Sequence, residues 1–342
     1  MTHQFSYYKY IVIVFAFLMM LSCGNQKQSA SNATQKTISV LPKSDPSNTG
    51  NWTLNTDVSD EFNAKDLDTD KWRIVGEFEN GVPTYVNEDQ PGKTEWIGRA
   101  PSQFSGKNFR LENGMLILET RWEPDFPFSN TTQKYQGVEY KYENITTACL
   151  ITRKLFKYGY MEIRSKAADA EVTSSFWGTG NGTEFDMFEM FGDHRQPQKE
   201  ERGKDRELWW SIHDWSKLGK GKTTYTEHRD LGFRVADDFH VYGIEWNENG
   251  ITYYIDGIKL FSVTKEEINA YDDVAKNKGG NGTNENYVLT KPIRIWLDQE
   301  TFPWHGVPDS KEDLELNSPE GKKDDGVVDF EIDYVRIWQK KN

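Results

Sequence analysis

Between Gly182 and Gly192 three carboxylates, Glu184, Asp186 and Glu189, interrupt a Phe- and Met-rich run that otherwise has the composition of a buried strand. Successive strand side chains point to opposite faces, so Glu184 and Asp186 share a face and Glu189 should point the other way. One extra residue bulged out between Asp186 and Glu189 restores the phase and brings all three acids to one side. Phe185 and Met187 then turn to the packed face. Ionised carboxylates are rarely buried without partners, so three converging acids need a chemical reason. The bland alternative is an exposed strand with solvated acids. A Phe/Met-rich opposite face with Trp177 just upstream suits a walled cleft better.

Glycoside hydrolysis supplies that reason, because it uses two carboxyl groups flanking the scissile bond, roughly 5–5.5 Å apart when configuration is retained. Four strand steps after the bulge put the Glu184 and Glu189 Cα atoms ~13 Å apart, a gap that two Glu side chains leaning together can largely close. Asp186 between them would orient the nucleophile and, through like-charge coupling, keep a proton on the acid.

The 342-residue chain carries a formal net charge of −13 and 12 Trp. An all-β domain often reaches this length as one unit, and the acidic balance argues against a nucleic-acid partner. Residues 1–23 read as a signal segment, with an apolar run from Ile11 to Leu21 too short for a comfortable membrane span. Cys23 directly after it resembles a bacterial lipoprotein processing site, which would place a monomeric protein on the cell envelope through a lipid anchor, facing periplasm or exterior. An ordinary secreted form is the alternative. Residues 24–50, polar and poor in large apolar side chains, read as a flexible tether, and 51–342 as one catalytic domain. Cys149 is the only other cysteine, so no disulfide framework exists, and it reads as a small buried apolar residue.

Along the rest of the chain, short strands are punctuated by turns. Asn113-Gly114, Asn249-Gly250 and Asp256-Gly257 separate apolar runs and carry the residue types that tight hairpin turns require. Only Lys265–Ala275 suggests a short helix. Regular strands without alternating helices predict an all-β antiparallel sandwich. Polar loops are expected at Gln196–Arg206, Asn277–Asn286 and Asp309–Gly326, the last long enough to form a cleft wall.

The Glu184-Phe-Asp186-Met-Phe-Glu189 run resembles the bulged active-site motif of glycoside hydrolase family 16. Ser59-Asp-Glu-Phe-Asn with Leu67-Asp-Thr-Asp-Lys-Trp72, Tyr158 to Lys166, Ser174-Ser-Phe-Trp177, Phe239 to Trp246 and Val328 to Ile337 are similar to that family's other strands, in its order. The resemblance implies a curved β-jelly-roll with an open cleft, cutting internal β-linkages of polysaccharides with retention. By motif position Glu184 would be the nucleophile, Asp186 its assistant and Glu189 the acid/base. Trp177 would stack a sugar ring or else fill the core, and His213 would line the cleft or serve as a structural histidine.

Thr173 to Trp177 and Glu189 to Gly192 look most like the branch acting on red-algal galactans. Trp296 to His305 resembles that branch's cleft strand, with Glu300, Trp304 and His305 as sugar contacts. The expected activity is that of a β-agarase on agar. β-Porphyranase, furcellaranase or carrageenase are the alternatives, then laminarinase; outside enzymes the alternative is a carbohydrate-binding module, which gives three spaced acids no role. A sulfated sugar would need a cation in the cleft, and alternation from Glu300 puts Arg294 on the groove face and Lys291 off it. Catalysis needs no cofactor. A structural calcium, common in the family, would draw on Glu61, the Gly114 carbonyl and Asp333, an oxygen-only set suited to a hard cation.

Overall fold

The computed structural model describes residues 40–193, 204–216, 222–274, 289–319 and 321–340. Cys23, the signal segment, most of the expected tether and the 277–286 loop lie outside the described residues. Strands dominate the rest, in two large sheets packed face to face.

The seven-stranded sheet runs in the order Lys222–Asp230, Glu207–Asp214, Thr183–Phe191, Thr173–Gly180, Arg294–Asp298, Cys149–Thr152, Trp72–Ile74. The ten-stranded sheet has Gly159–Lys166 and the long C-terminal strand Val327–Lys340 at its centre. Pairing is antiparallel except for one short parallel contact between Gln103–Phe104 and Ile145–Thr147. The expected sandwich is therefore present, and alternation explains its core. Phe185, Met187, Trp210, Ile212, Ile295 and Leu297 from one sheet meet Met161, Ile163, Tyr253, Leu116, Leu118 and Ile332 from the other. On the opposite face of the seven-stranded sheet, Cys149, Ile151 and Trp296 are covered by Val75 and Phe104. Cys149 is buried as expected, and burial pushes its thiol pKa well up.

The turns follow their chemistry, with one shift. Asn113-Gly114 and Asp256-Gly257 have paired positive φ angles, as primed hairpin turns require. At the third site Asn247 pairs with Gly250, so Glu248-Asn249 make the turn and Gly250 opens the next strand. The helix spans Lys265–Val274. The 309–326 segment contains a short helix, Lys311–Leu314, capped by the Ser310 side chain, and Leu314 packs into a small cluster with Val328.

One expectation is corrected. Residues 40–50 are docked, not free. The Lys43 amide donates to Glu162 at 2.8 Å, Trp338 Nε1 donates to the Val40 carbonyl at 2.8 Å, and Asp45 closes a turn on the Gly50 amide at 2.7 Å. Their low apolar content hides this, because apart from Val40, which packs beside Trp338, the docking is made by polar contacts. Two of the expected calcium donors are engaged by arginines. Glu61 receives two hydrogen bonds from Arg336, each 2.7 Å, and Asp333 is held by Arg164 at 2.9 Å, so both carboxylates are already neutralised. A chelator should therefore leave the melting temperature of the purified protein unchanged. A drop of several degrees that calcium reverses would restore the metal site.

Candidate active site

Asn181-Gly182, with φ of 53° and 84°, turns the Thr173–Gly180 strand into Thr183–Phe191, a hairpin signal the sequence carried but the hairpin reading passed over. Within this hairpin the ladder slips once. Phe176 pairs with Phe188 and Trp177 with Asp186, leaving Met187 without a partner. That is the bulge which the spacing of the acids demanded. Phe185, Met187 and Phe188 are all fully buried in the core, while Glu184, Asp186 and Glu189 take the other face. The Met187 carbonyl has lost its cross-strand donor, and the Tyr253 hydroxyl from the ten-stranded sheet donates to it at 3.0 Å. The bulge is thus held from across the core.

The three acids sit in a dense polar cluster. His213, directly across the ladder from Glu184, places Nε2 3.0 Å from Asp186 Oδ2 and 3.9 Å from Glu184 Oε1. Its Nδ1 lies 3.0 Å from the Thr223 hydroxyl, so Nε2 donates to Asp186 when Nδ1 accepts. The histidine is therefore in the cleft and satisfied at once; the two readings were not exclusive. Trp215 Nε1 donates to Glu184 Oε2 at 2.9 Å. Trp177 stacks on Trp296 with centroids 4.5 Å apart and donates to Asp298 at 3.0 Å. It is half-buried, so both a packed and a solvent-facing part of its ring exist.

Glu300 meets two residues that sequence reasoning did not single out. Trp96 Nε1 donates to it at 2.7 Å and Arg99 Nε at 3.2 Å, with the Arg99 guanidinium 4.2 Å over the Phe302 ring. Trp96 and Arg99 come from an irregular loop with no periodicity to mark them. Asp298, which ends the strand leading to Glu300, was not singled out either. Arg294 does reach the groove side, but Asp89 engages its guanidinium through two nitrogens, with Nε at 2.9 Å. Trp304 is half-buried among Phe191 and Trp209, with the Lys204 ammonium 4.4 Å from its ring. His305 is corrected from sugar contact to buried residue. Only 1% of it is exposed, and its ring packs 4.2 Å from that of Phe191.

Burial raises the pKa of Glu184 to about 8, and the charges of Asp186 and Glu189 add to the push. Asp186 rises to about 8 through burial and Glu300, against the pull of Arg99. Glu189 also rises to about 8, through burial first and then Asp186. Like charges this close cannot all ionise together, so the cluster retains protons near neutrality and can offer one to a leaving group. Ligand atoms of Glu184, Asp186 and His213 lie within 4.8 Å of one another, but two of these residues are the ones the hydrolytic motif uses.

A carboxyl whose folded pKa is raised favours the fold while protonated. Its contribution is complete below the unfolded value near 4 and is lost as pH climbs through about 8. Glu189→Gln, which cannot ionise, should therefore melt several degrees above the parent protein at about pH 9 and level with it at about pH 4. Equal shifts at both pH values in thermal unfolding would contradict the raised pKa.

The match to a family model described as "Beta-porphyranase A-D, GH16 domain" spans residues 52–340. β-Porphyranase B of Zobellia galactanivorans is 27% identical over 303 residues, covering 84% of this chain and 85% of that protein. β-Agarase A of the same organism is 25% identical over 345 residues, 96% of this chain but 52% of the agarase. The crystal structure of porphyranase B from Z. galactanivorans superposes with a TM-score of 0.57 at 23% identity, covering 84% of this chain and 92% of that one, a likeness of fold. Spanned almost end to end by that model beyond its N-terminal segment, the chain belongs to glycoside hydrolase family 16, the family whose bulged three-acid motif it carries.

Proposed function

We propose that this enzyme is an endo-acting, retaining hydrolase of sulfated agar-type galactans, with porphyran preferred to plain agarose. The observation that carries the preference is Arg99. A sulfate approaching five clustered acids, Glu184, Asp186, Glu189, Asp298 and Glu300, would be repelled unless a cation stood among them. Arg99 is that cation, one-third exposed at its side chain and anchored by Glu300. Raised carboxyl pKa values reduce the opposing charge further. The family model and the porphyranase relatives support the same reading, which moves agarose, placed first by sequence, to second.

In this reading Glu184 attacks the anomeric carbon while Glu189 protonates the departing oxygen. Glu189 then takes a proton from the water that releases the glycosyl-enzyme. Asp186, hydrogen-bonded to His213, keeps the two glutamates in different protonation states. The half-buried Trp177 face and Trp304 suit the apolar faces of pyranose rings. A lipid anchor at Cys23 would hold the enzyme at the envelope where polymer arrives.

Product sizing on porphyran, agarose, carrageenans and laminarin tests this. Porphyran should give a ladder of even-numbered oligosaccharides, with slower release from agarose and none from Glu184→Gln. Arg99→Ala should lower kcat/KM on porphyran roughly 10- to 100-fold while changing agarose cleavage far less. Equal losses on both polymers would remove the sulfate role. Cleavage of laminarin alone would make the enzyme a glucanase.

A further inference from the structure

Beside Glu184 the groove opens into a cavity of about 540 Å³ walled by Trp215, Trp296, Arg294 and Asp89, with Arg73 and Glu95 also in its lining. Its charges cancel in pairs. Arg73 is bound to Glu95 at 2.6 Å, and Arg294 holds Asp89 through two nitrogens. With each cation matched by a carboxylate, the cavity's lining carries no net charge and suits the hydroxyls of a neutral sugar.

Trp215 joins this cavity to the chemistry. Trp215 is 54% exposed and lines the cavity. Its backbone is nonetheless fixed, with its amide donating to the Gly182 carbonyl at 2.8 Å and the next amide to Asp214 at 2.8 Å. One edge of the ring donates to Glu184 Oε2 at 2.9 Å, leaving Oε1 as the oxygen nearer His213. The ring faces the cavity while its N–H fixes the carboxylate.

We propose that Trp215 is a positioning residue for the nucleophile and that the same ring is the wall of a neutral-sugar subsite beside it. The subsite half rests on the polysaccharide-hydrolase reading above; the positioning half rests on geometry alone. Donation to the carboxylate favours its ionised, attacking form. A sugar stacked on the ring and the reacting carboxylate are therefore held by one rigid side chain.

Trp215→Phe keeps a ring and removes the N–H, whereas Trp215→Ala removes both. Rates are to be measured against pH on porphyran, or on whichever of the panel polymers is cut, so a wrong substrate does not count against Trp215. Trp215→Phe should lower kcat roughly 10- to 100-fold with KM changed by no more than about twofold. The acid limb of its kcat/KM profile should move to higher pH. Trp215→Ala should add a rise in KM of roughly tenfold on long chains. Carbon NMR of glutamate-labelled protein, which needs no turnover, should show the Glu184 titration moved upward in Trp215→Phe. An unmoved titration and acid limb would overturn the positioning role, even if both variants melt earlier. Indistinguishable KM values for the two variants would overturn the subsite.

Discussion

One cross-core hydrogen bond carries much of this structure. A strand cannot place acids at positions 184, 186 and 189 on one face without gaining a residue, and gaining a residue strands a carbonyl in an apolar layer. Leaving such a group unpaired costs about 1–3 kcal/mol. Tyr253 removes that cost by reaching from the other sheet to the Met187 oxygen. The hydroxyl therefore does for the bulge what a neighbouring amide does for a regular ladder position. Phe185, Met187 and Phe188 fill the core around it, so the packing and the bulge support each other.

The same arrangement is electrostatically expensive. Burial first, and then neighbouring negative charge, raises the pKa values of Glu184, Asp186, Glu189 and Asp298, and the fold is least favoured when all are ionised. Proteins keep such clusters where catalysis needs them. Here the offsetting groups are few and specific: His213 on Asp186, Trp215 on Glu184, Trp177 on Asp298, and Arg99 with Trp96 on Glu300. Four of the five acids thus receive at least one donor, and one of those donors, Trp215, also lines the cavity beside the site.

Much of this was legible from residues alone. The parity of Glu184, Asp186 and Glu189 required a bulge, and the Asn-Gly and Asp-Gly pairs marked hairpins. Trp177, Glu300 and His213, named from the family resemblance and their neighbouring residues, lie beside the acids or bind the groups that do. The failures have physical causes. Arg99 and Trp96 sit in a loop, where no period links a residue to a face. Arg294 has the right parity, but its partner Asp89 is 205 positions away in sequence, so its neutralisation was invisible. The same holds for Glu61 with Arg336. His305 lies beyond the end of its strand, where alternation no longer applies, and it turns inward under Phe191. Docking of residues 40–50 depends on hydrogen bonds to distant strands, which composition does not report.

The central claim is that the bulge, held by Tyr253, assembles the catalytic face. Tyr253→Phe removes one oxygen, keeps the ring in the core and leaves the acids themselves untouched. The direct measurement is kcat on the polymer the enzyme cuts, taken at a temperature where denaturant unfolding shows the variant still fully folded. The account predicts a loss of at least about tenfold, because even a small displacement of Glu189 costs proton transfer. Full kcat in a folded Tyr253→Phe protein would contradict it.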